Sequence, residues 1–195
     1  MVTVEEIFKK ISSRQFLLPD ARELIKRSYY FSDNHAHPDV HIVLTGNSRP
    51  ADLHFQHLPN YDERALHSMF RSMDDAAAAI AAALNCRAGE AAMRFLSVSS
   101  VRRLALYSRS AASHAATMFE RAAVVHAGAR AGTTYTPVQT EVVVVIFGIH
   151  AEQVFVVTAY PCHILPANRP LPPAGHDLLE YRQGPQQQLF TYPAE

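Results

Sequence analysis

The sequence predicts an α+β fold with N-terminal helices and a small antiparallel sheet. Two observations carry the prediction. Helical periodicity dominates the first half of the chain, and most strand-like runs come later. The two strongest of those runs, EVVVVIFGI and QVFVVTAY, stand next to each other over residues 141–160 with only a short turn between them, the pattern of a hairpin.

Residues 3–13 predict a first helix. Thr3 and Glu6 have the spacing of a capping box, and Val4, Ile7, Phe8 and Ile11 form an apolar stripe. A second helix is expected after Pro19, capped by Asp20, with Leu24 and Ile25 on its apolar side. FSDNHAHPD reads as a polar loop. HIVLT, residues 41–45, reads as a short strand closed by GNSRP, and ADLHFQHL pairs with it as a hairpin in which Leu53, Phe55 and His57 share one face. NYDERALHSMF predicts a short helix capped by Asn60. DDAAAAIAAALNC is the strongest helix of the chain, because alanine has the highest helix propensity and Asp74 and Asp75 suit the positive N-terminal end. AGEAAMRFL continues as another helix, and VRRLALY, residues 101–107, reads as a strand. Residues 110–134 are ambiguous, with AAVVHAGARAG fitting strand and loop. EVVVVIFGI is almost wholly β-branched, which predicts burial on both faces. Seven of the 12 prolines fall in residues 161–195 with the run PQQQ, which predicts an extended, partly mobile tail. The expected organisation is an N-terminal helical extension (1–50), a central domain (51–161) and a Pro/Gln-rich tail (162–195).

Composition bounds the function. Of 195 residues, 48% are hydrophobic and 18% charged, which excludes a disordered chain. Eighteen basic residues balance 18 acidic ones, so no global field draws the chain to nucleic acid or to an anionic membrane, and any polyanion site is local. Cys86 and Cys162 lie in no close metal spacing and read as free thiols. The first 20 residues have no uninterrupted apolar run, so no signal peptide is expected, and no run approaches the roughly 20 residues of a membrane span.

The motif that carries chemistry is the end of the second hairpin strand. Side chains alternate along a strand, so Thr158 and Tyr160 point the same way, their hydroxyls about 7 Å apart along it. Pro161 lacks an N–H and is expected to end the strand there. A Thr-x-Tyr pair on a strand is usually surface packing, and only its context makes it a candidate site.

That context is an order of motifs: a histidine ahead of a helical region, then SMFRSMDDAAAAIAAAL, then VVVVIFG and FVVTAYP. The order resembles the bacterial ribonuclease A-like toxin domain found at the C-termini of contact-dependent inhibition proteins and other polymorphic toxins. The resemblance covers residues 50–161, and TAYP is its most specific piece. It implies helical layers against a curved antiparallel sheet, and a metal-independent endoribonuclease that needs no cofactor. Its implied partners are RNA, tRNA among the candidates, and a cognate immunity protein, with no DNA and no membrane. Its implied location is the cytoplasm, of the producing cell or of a target cell into which it is delivered. It further implies a cleft lined by a histidine, an arginine, and the threonine and tyrosine of TAYP. Thr158 and Tyr160 match directly, and His57 is the best match for the histidine. The arginine departs from the family pattern: Ser68 stands near its place, leaving Arg64 as the candidate and Arg71 as its rival.

Cleavage without metal requires a base for the ribose 2′-hydroxyl, donors for the phosphate oxygens, an acid for the leaving 5′-oxygen and an in-line geometry. His57 suits the base, as an imidazole is largely neutral near pH 7. Arg64 supplies forked donors for the phosphate. Thr158 donates to a phosphate oxygen, and Tyr160 donates or stacks on a base. His54 and Tyr160 are the candidates for the acid. The expected product is a 2′,3′-cyclic phosphate.

Other constellations are weaker. His35, His37 and His41 offer imidazoles to zinc, but HxH in a polar loop is usually solvated. Cys162 beside His163 reads as no thiol enzyme, since adjacent residues on an extended chain point apart. His126, Arg130, Thr133, Thr134 and Tyr135 suit a cleft edge but have no specific spacing. The alternative from another class is a catalytically silent module of the same fold that binds a partner within a toxin locus, favoured by zero net charge and the unplaced arginine.

Overall fold

The computed structural model describes residues 3–28, 67–70, 72–98, 101–115, 117–124, 132–162, 170–183 and 185–194. The fold is α+β. Among the described residues, four α-helices accompany a five-stranded antiparallel sheet and a three-stranded antiparallel sheet. The helices are α1 (Val4–Ser12), α2 (Leu18–Ser28), α3 (Met73–Asn85) and α4 (Arg87–Val98). The strands are β1 (His67–Phe70), β2 (Arg103–Ser108), β3 (Thr117–Val124), β4 (Gly132–Gln139), β5 (Val142–His150), β6 (Gln153–Cys162), β7 (His176–Gln183) and β8 (Gln186–Pro193). The larger sheet has the order β6-β5-β2-β7-β8 and the smaller β1-β3-β4.

Local chemistry explains the helices. In α1 the Thr3 side chain accepts from the Glu6 N–H at 3.2 Å, while the Glu6 carboxylate accepts from the Thr3 N–H at 2.9 Å, so two end donors are satisfied reciprocally. α2 begins at Leu18, two residues ahead of the expected cap. Asp20 acts from the first turn instead, accepting from the Leu17 N–H at 2.9 Å, and it also pairs with Lys10 of α1. α3 is capped by Ser72, which accepts from the Asp75 N–H at 3.1 Å. Its alanines let neighbours approach closely. In the first turn of α4, a Cβ on Gly89 would stand 2.3 Å from the Ala83 carbonyl oxygen of α3, so only glycine fits there.

One side of the five-stranded sheet meets the helices. Ile7, Phe16, Leu24, Ile25, Ile80, Leu84 and Met93 pack with Leu104, Leu106, Val143, Val145, Phe147, Val156 and Leu179 in one continuous core. The far face is also buried: Ala105, Tyr107, Val142, Val144 and Leu178 form a second apolar cluster. The β-branched run of β5 is thus covered on both faces, as its composition predicts.

Three expectations change. HSMF, read as the end of a helix, is strand β1 and pairs with β3 in the register His67↔Arg121 to Phe70↔Met118. β6 does not stop at Pro161; pairing continues through Cys162 opposite Val142, and β6 is an edge strand, where a missing N–H costs no ladder bond. Residues 176–193, expected as part of a tail, supply β7 and β8, and β7 lies inside the sheet between β2 and β8. The helices of residues 4–28 and the strands of residues 176–193 share a core with the chain between them, so segments on both sides of the expected boundaries join one hydrophobic unit. The expected strands at 41–45 and 51–58 and the Asn60 cap lie outside the described residues. Among the described residues, no helix is long and apolar enough to cross a membrane.

Candidate functional site

β6 positions the hydroxyl pair. The strand carries a bulge: Val156 pairs with Phe147 and Thr158 with Ile146, leaving Val157 as the extra residue. A bulge disrupts the ladder and exposes backbone groups that need other partners. Here Ser28, at the end of α2, answers. Its hydroxyl accepts from the Val156 N–H at 2.8 Å and donates to the Leu24 carbonyl at 2.9 Å, with the serine fully buried. Helix α2 therefore fixes the strand two residues ahead of Thr158.

Beyond the bulge the alternation resumes. Thr158 pairs with Ile146 and Tyr160 with Val144, so both side chains share the far face, while Ala159 turns to the helix side. Both are half-buried. Tyr160 packs against the cluster of Tyr107, Val142, Val144 and Leu178. The Thr158 Oγ1 is shielded from solvent and has no hydrogen-bond partner among the described residues. Such a hydroxyl is costly to leave unsatisfied and is well suited to donate to an incoming anionic oxygen.

The register extends this face across the sheet. One row runs Thr158, Ile146, Ala105, Glu180, Leu189; the next runs Tyr160, Val144, Tyr107, Leu178, Thr191. Three strand spacings place Glu180 about 14 Å from Thr158. Glu180 is buried and holds two partners: Tyr107 donates its hydroxyl to Oε2 at 2.5 Å, and Gln187 donates Nε2–H to Oε1 at 2.7 Å. A buried carboxylate requires such donors. The apolar pair Val144 and Ile146 separates this polar chain from the Thr158–Tyr160 edge.

A second buried acid serves the fold. Asp177 Oδ1 accepts from the backbone N–H groups of Arg109 at 2.7 Å and Ser110 at 3.2 Å, and Oδ2 accepts from the Ser110 hydroxyl at 2.8 Å. It ties the end of β2 to β7. Cys86 lies near this carboxylate. Burial, reinforced by the Asp177 charge, pushes the Cys86 thiol up to about 12. That thiol is free and stays protonated, so it is no nucleophile.

The structure thus brings together two of the four expected site residues, Thr158 and Tyr160. His57 and Arg64 lie outside the described residues, as do His54, Arg71 and the histidines 35, 37 and 41. β3 and β4 carry the strand part of the segment that suits a cleft edge, with Thr133, Thr134 and Tyr135 on β4. Tyr107, Glu180 and Gln187 have no counterpart in the sequence reading. No local signal could have found them, because Tyr107 and Glu180 stand on strands 73 positions apart in sequence. No family model, no curated protein and no solved structure matches the chain.

Proposed function

We propose that the chain is a metal-independent endoribonuclease of the ribonuclease A-like toxin type. It cleaves RNA by 2′-hydroxyl attack to a 2′,3′-cyclic phosphate, acts in competition between bacteria and is neutralised by an immunity protein. One observation supports it above the others. The Thr158 hydroxyl is withdrawn from solvent, lacks a partner among the described residues and shares its strand face with the Tyr160 hydroxyl. In this reading His57 takes the 2′-proton as the 2′-oxygen attacks phosphorus. Arg64, or Arg71, neutralises the charge that builds on the phosphate oxygens. Thr158 donates to one of those oxygens, and a low-polarity surround strengthens that bond. His54 or Tyr160 protonates the departing 5′-oxygen. The test is incubation with total RNA in chelator, comparing wild type with His57→Ala and Tyr160→Phe: wild type cleaves and both variants lose activity. Intact RNA in the wild-type lane would remove this reading.

The second reading is a catalytically silent module that binds a partner. It is favoured by the Tyr107–Glu180–Gln187 chain, in which polar groups of the same face bond one another. Under it, the chain binds an immunity-type protein and leaves RNA intact.

A further inference from the structure

A second site lies on the opposite side of the molecule's sheet, between α4 and β8. The cleft there has a volume of about 480 Å³, within the roughly 300–1,000 Å³ of small-molecule sites. Helix α4 lines it with Arg87, Glu90, Arg94, Phe95 and Val98, and β8 adds Tyr192. Spacings of three, four and four along α4 set Arg87, Glu90, Arg94 and Val98 on one face of the helix.

Its walls are braced. Phe95 packs against Tyr181 and Phe190, ring centres 5.1 and 5.3 Å away, and Tyr181 stacks on Phe190 at 6.0 Å. The Arg94 guanidinium sits over the Phe8 ring, 5.7 Å from its centre, and donates to Glu90 at 3.2 Å. Phe8 on one side and Glu90 on the other place the Arg94 guanidinium at the mouth of the cleft. The Arg94–Glu90 pair is itself solvent-exposed, the kind of contact that contributes little and exchanges readily for a phosphate. Arg94 and Tyr192 are within electrostatic reach of one another. Burial raises the Tyr192 hydroxyl pKa and the Arg94 charge opposes the rise. Val98, 80% exposed at the rim, offers further apolar surface.

Two aromatic side chains, Phe95 and Tyr192, beside two arginines, Arg94 and Arg87, match a ligand with a flat π-system and an anionic group. We propose that this cleft binds a nucleoside monophosphate, the base against Tyr192 and Phe95 and the phosphate against Arg94 and Arg87. Aromatic stacking on a base and guanidinium contact with a phosphate are both independent of which base is present. The site is independent of the cleavage chemistry assigned to Thr158 and Tyr160, which sit on the other face of the sheet.

The test is calorimetric titration of the full chain with AMP, adenosine and inorganic phosphate, in wild type and in Arg94→Gln, Tyr192→Leu and Tyr192→Phe. AMP is expected to saturate one site and to bind more tightly than either half-ligand. Arg94→Gln and Tyr192→Leu each weaken AMP by about tenfold or more. Tyr192→Phe, which keeps the ring, retains binding and shows that loss in Tyr192→Leu is not unfolding. Absence of saturable AMP binding by wild type, phosphate binding as tightly as AMP, or unchanged AMP affinity in Arg94→Gln and Tyr192→Leu would each overturn the proposal.

Discussion

Tyr107 and Glu180, 73 positions apart in sequence, meet across the far face of the sheet, where the tyrosine hydroxyl donates to the carboxylate at 2.5 Å. The bond joins β2 to β7, the strand pair that brings the C-terminal residues into the sheet. Removing the donor leaves a buried carboxylate with fewer partners. Tyr107→Phe is expected to destabilise the fold by about 1–3 kcal/mol, the cost of a lost hydrogen bond to a charged group. Urea unfolding checks it: the midpoint falls with the slope unchanged. An unaltered midpoint would show that Glu180 does not depend on this donor.

Ser28 carries a second such dependence. Its hydroxyl is the partner of the Val156 N–H at the bulge of β6. Ser28→Ala strands that donor in the core and is expected to cost about 1–3 kcal/mol. Backbone amide exchange at Val156 is expected to quicken more than exchange at Val144 in the paired strand. Equal protection at both sites would mean that α2 does not anchor β6.

Cys86 makes stability depend on alkaline pH. Its folded value of about 12 lies above the ordinary 9.0, so the folded chain holds this proton more tightly than the unfolded chain. That contribution is complete below pH 9.0 and is lost as pH rises toward 12. In a Cys162→Ser background, unfolding free energy is expected to fall from pH 9 upward, and Cys86→Ala to remove the slope that this thiol contributes. Thiol labelling of the native chain at pH 8 is expected to be far slower than labelling in urea. Rapid native labelling would contradict the burial.

How much of this was legible follows from how local each signal is. The capping box of Thr3 and Glu6, the alanine helix and the β-branched run of β5 are set by neighbours a few residues away, and the sequence shows them. The face shared by Thr158 and Tyr160 follows from strand alternation alone, because the bulge at Val157 lies before both. The tail misled for a physical reason. Five of its seven prolines crowd residues 161–173, while Pro185 falls in the turn between β7 and β8 and Pro193 at the last position of β8. The glutamines of β8 suit an edge strand with solvent on one side, yet their run reads as low complexity. HSMF gives no strand period in four residues, and its pairing with β3 is tertiary. The Tyr107–Glu180 contact depends on strand order, which no local pattern encodes. The bulge is likewise invisible until Ser28, 128 residues from Val156, is brought to it.

Cleavage is assigned to a face on which the Thr158 hydroxyl is the phosphate donor, and Thr158→Val removes that donor alone. The change keeps the shape and removes a hydroxyl that has no partner among the described residues, so stability is expected to hold or rise by about 1 kcal/mol. Cleavage of total RNA in chelator, followed by product analysis, is the measurement. Wild type is expected to yield a 2′,3′-cyclic phosphate product, and folded Thr158→Val to cleave about a hundredfold more slowly, the effect of one lost transition-state donor. A folded variant that cleaves at the wild-type rate, or a wild type that yields no cyclic phosphate, would contradict it.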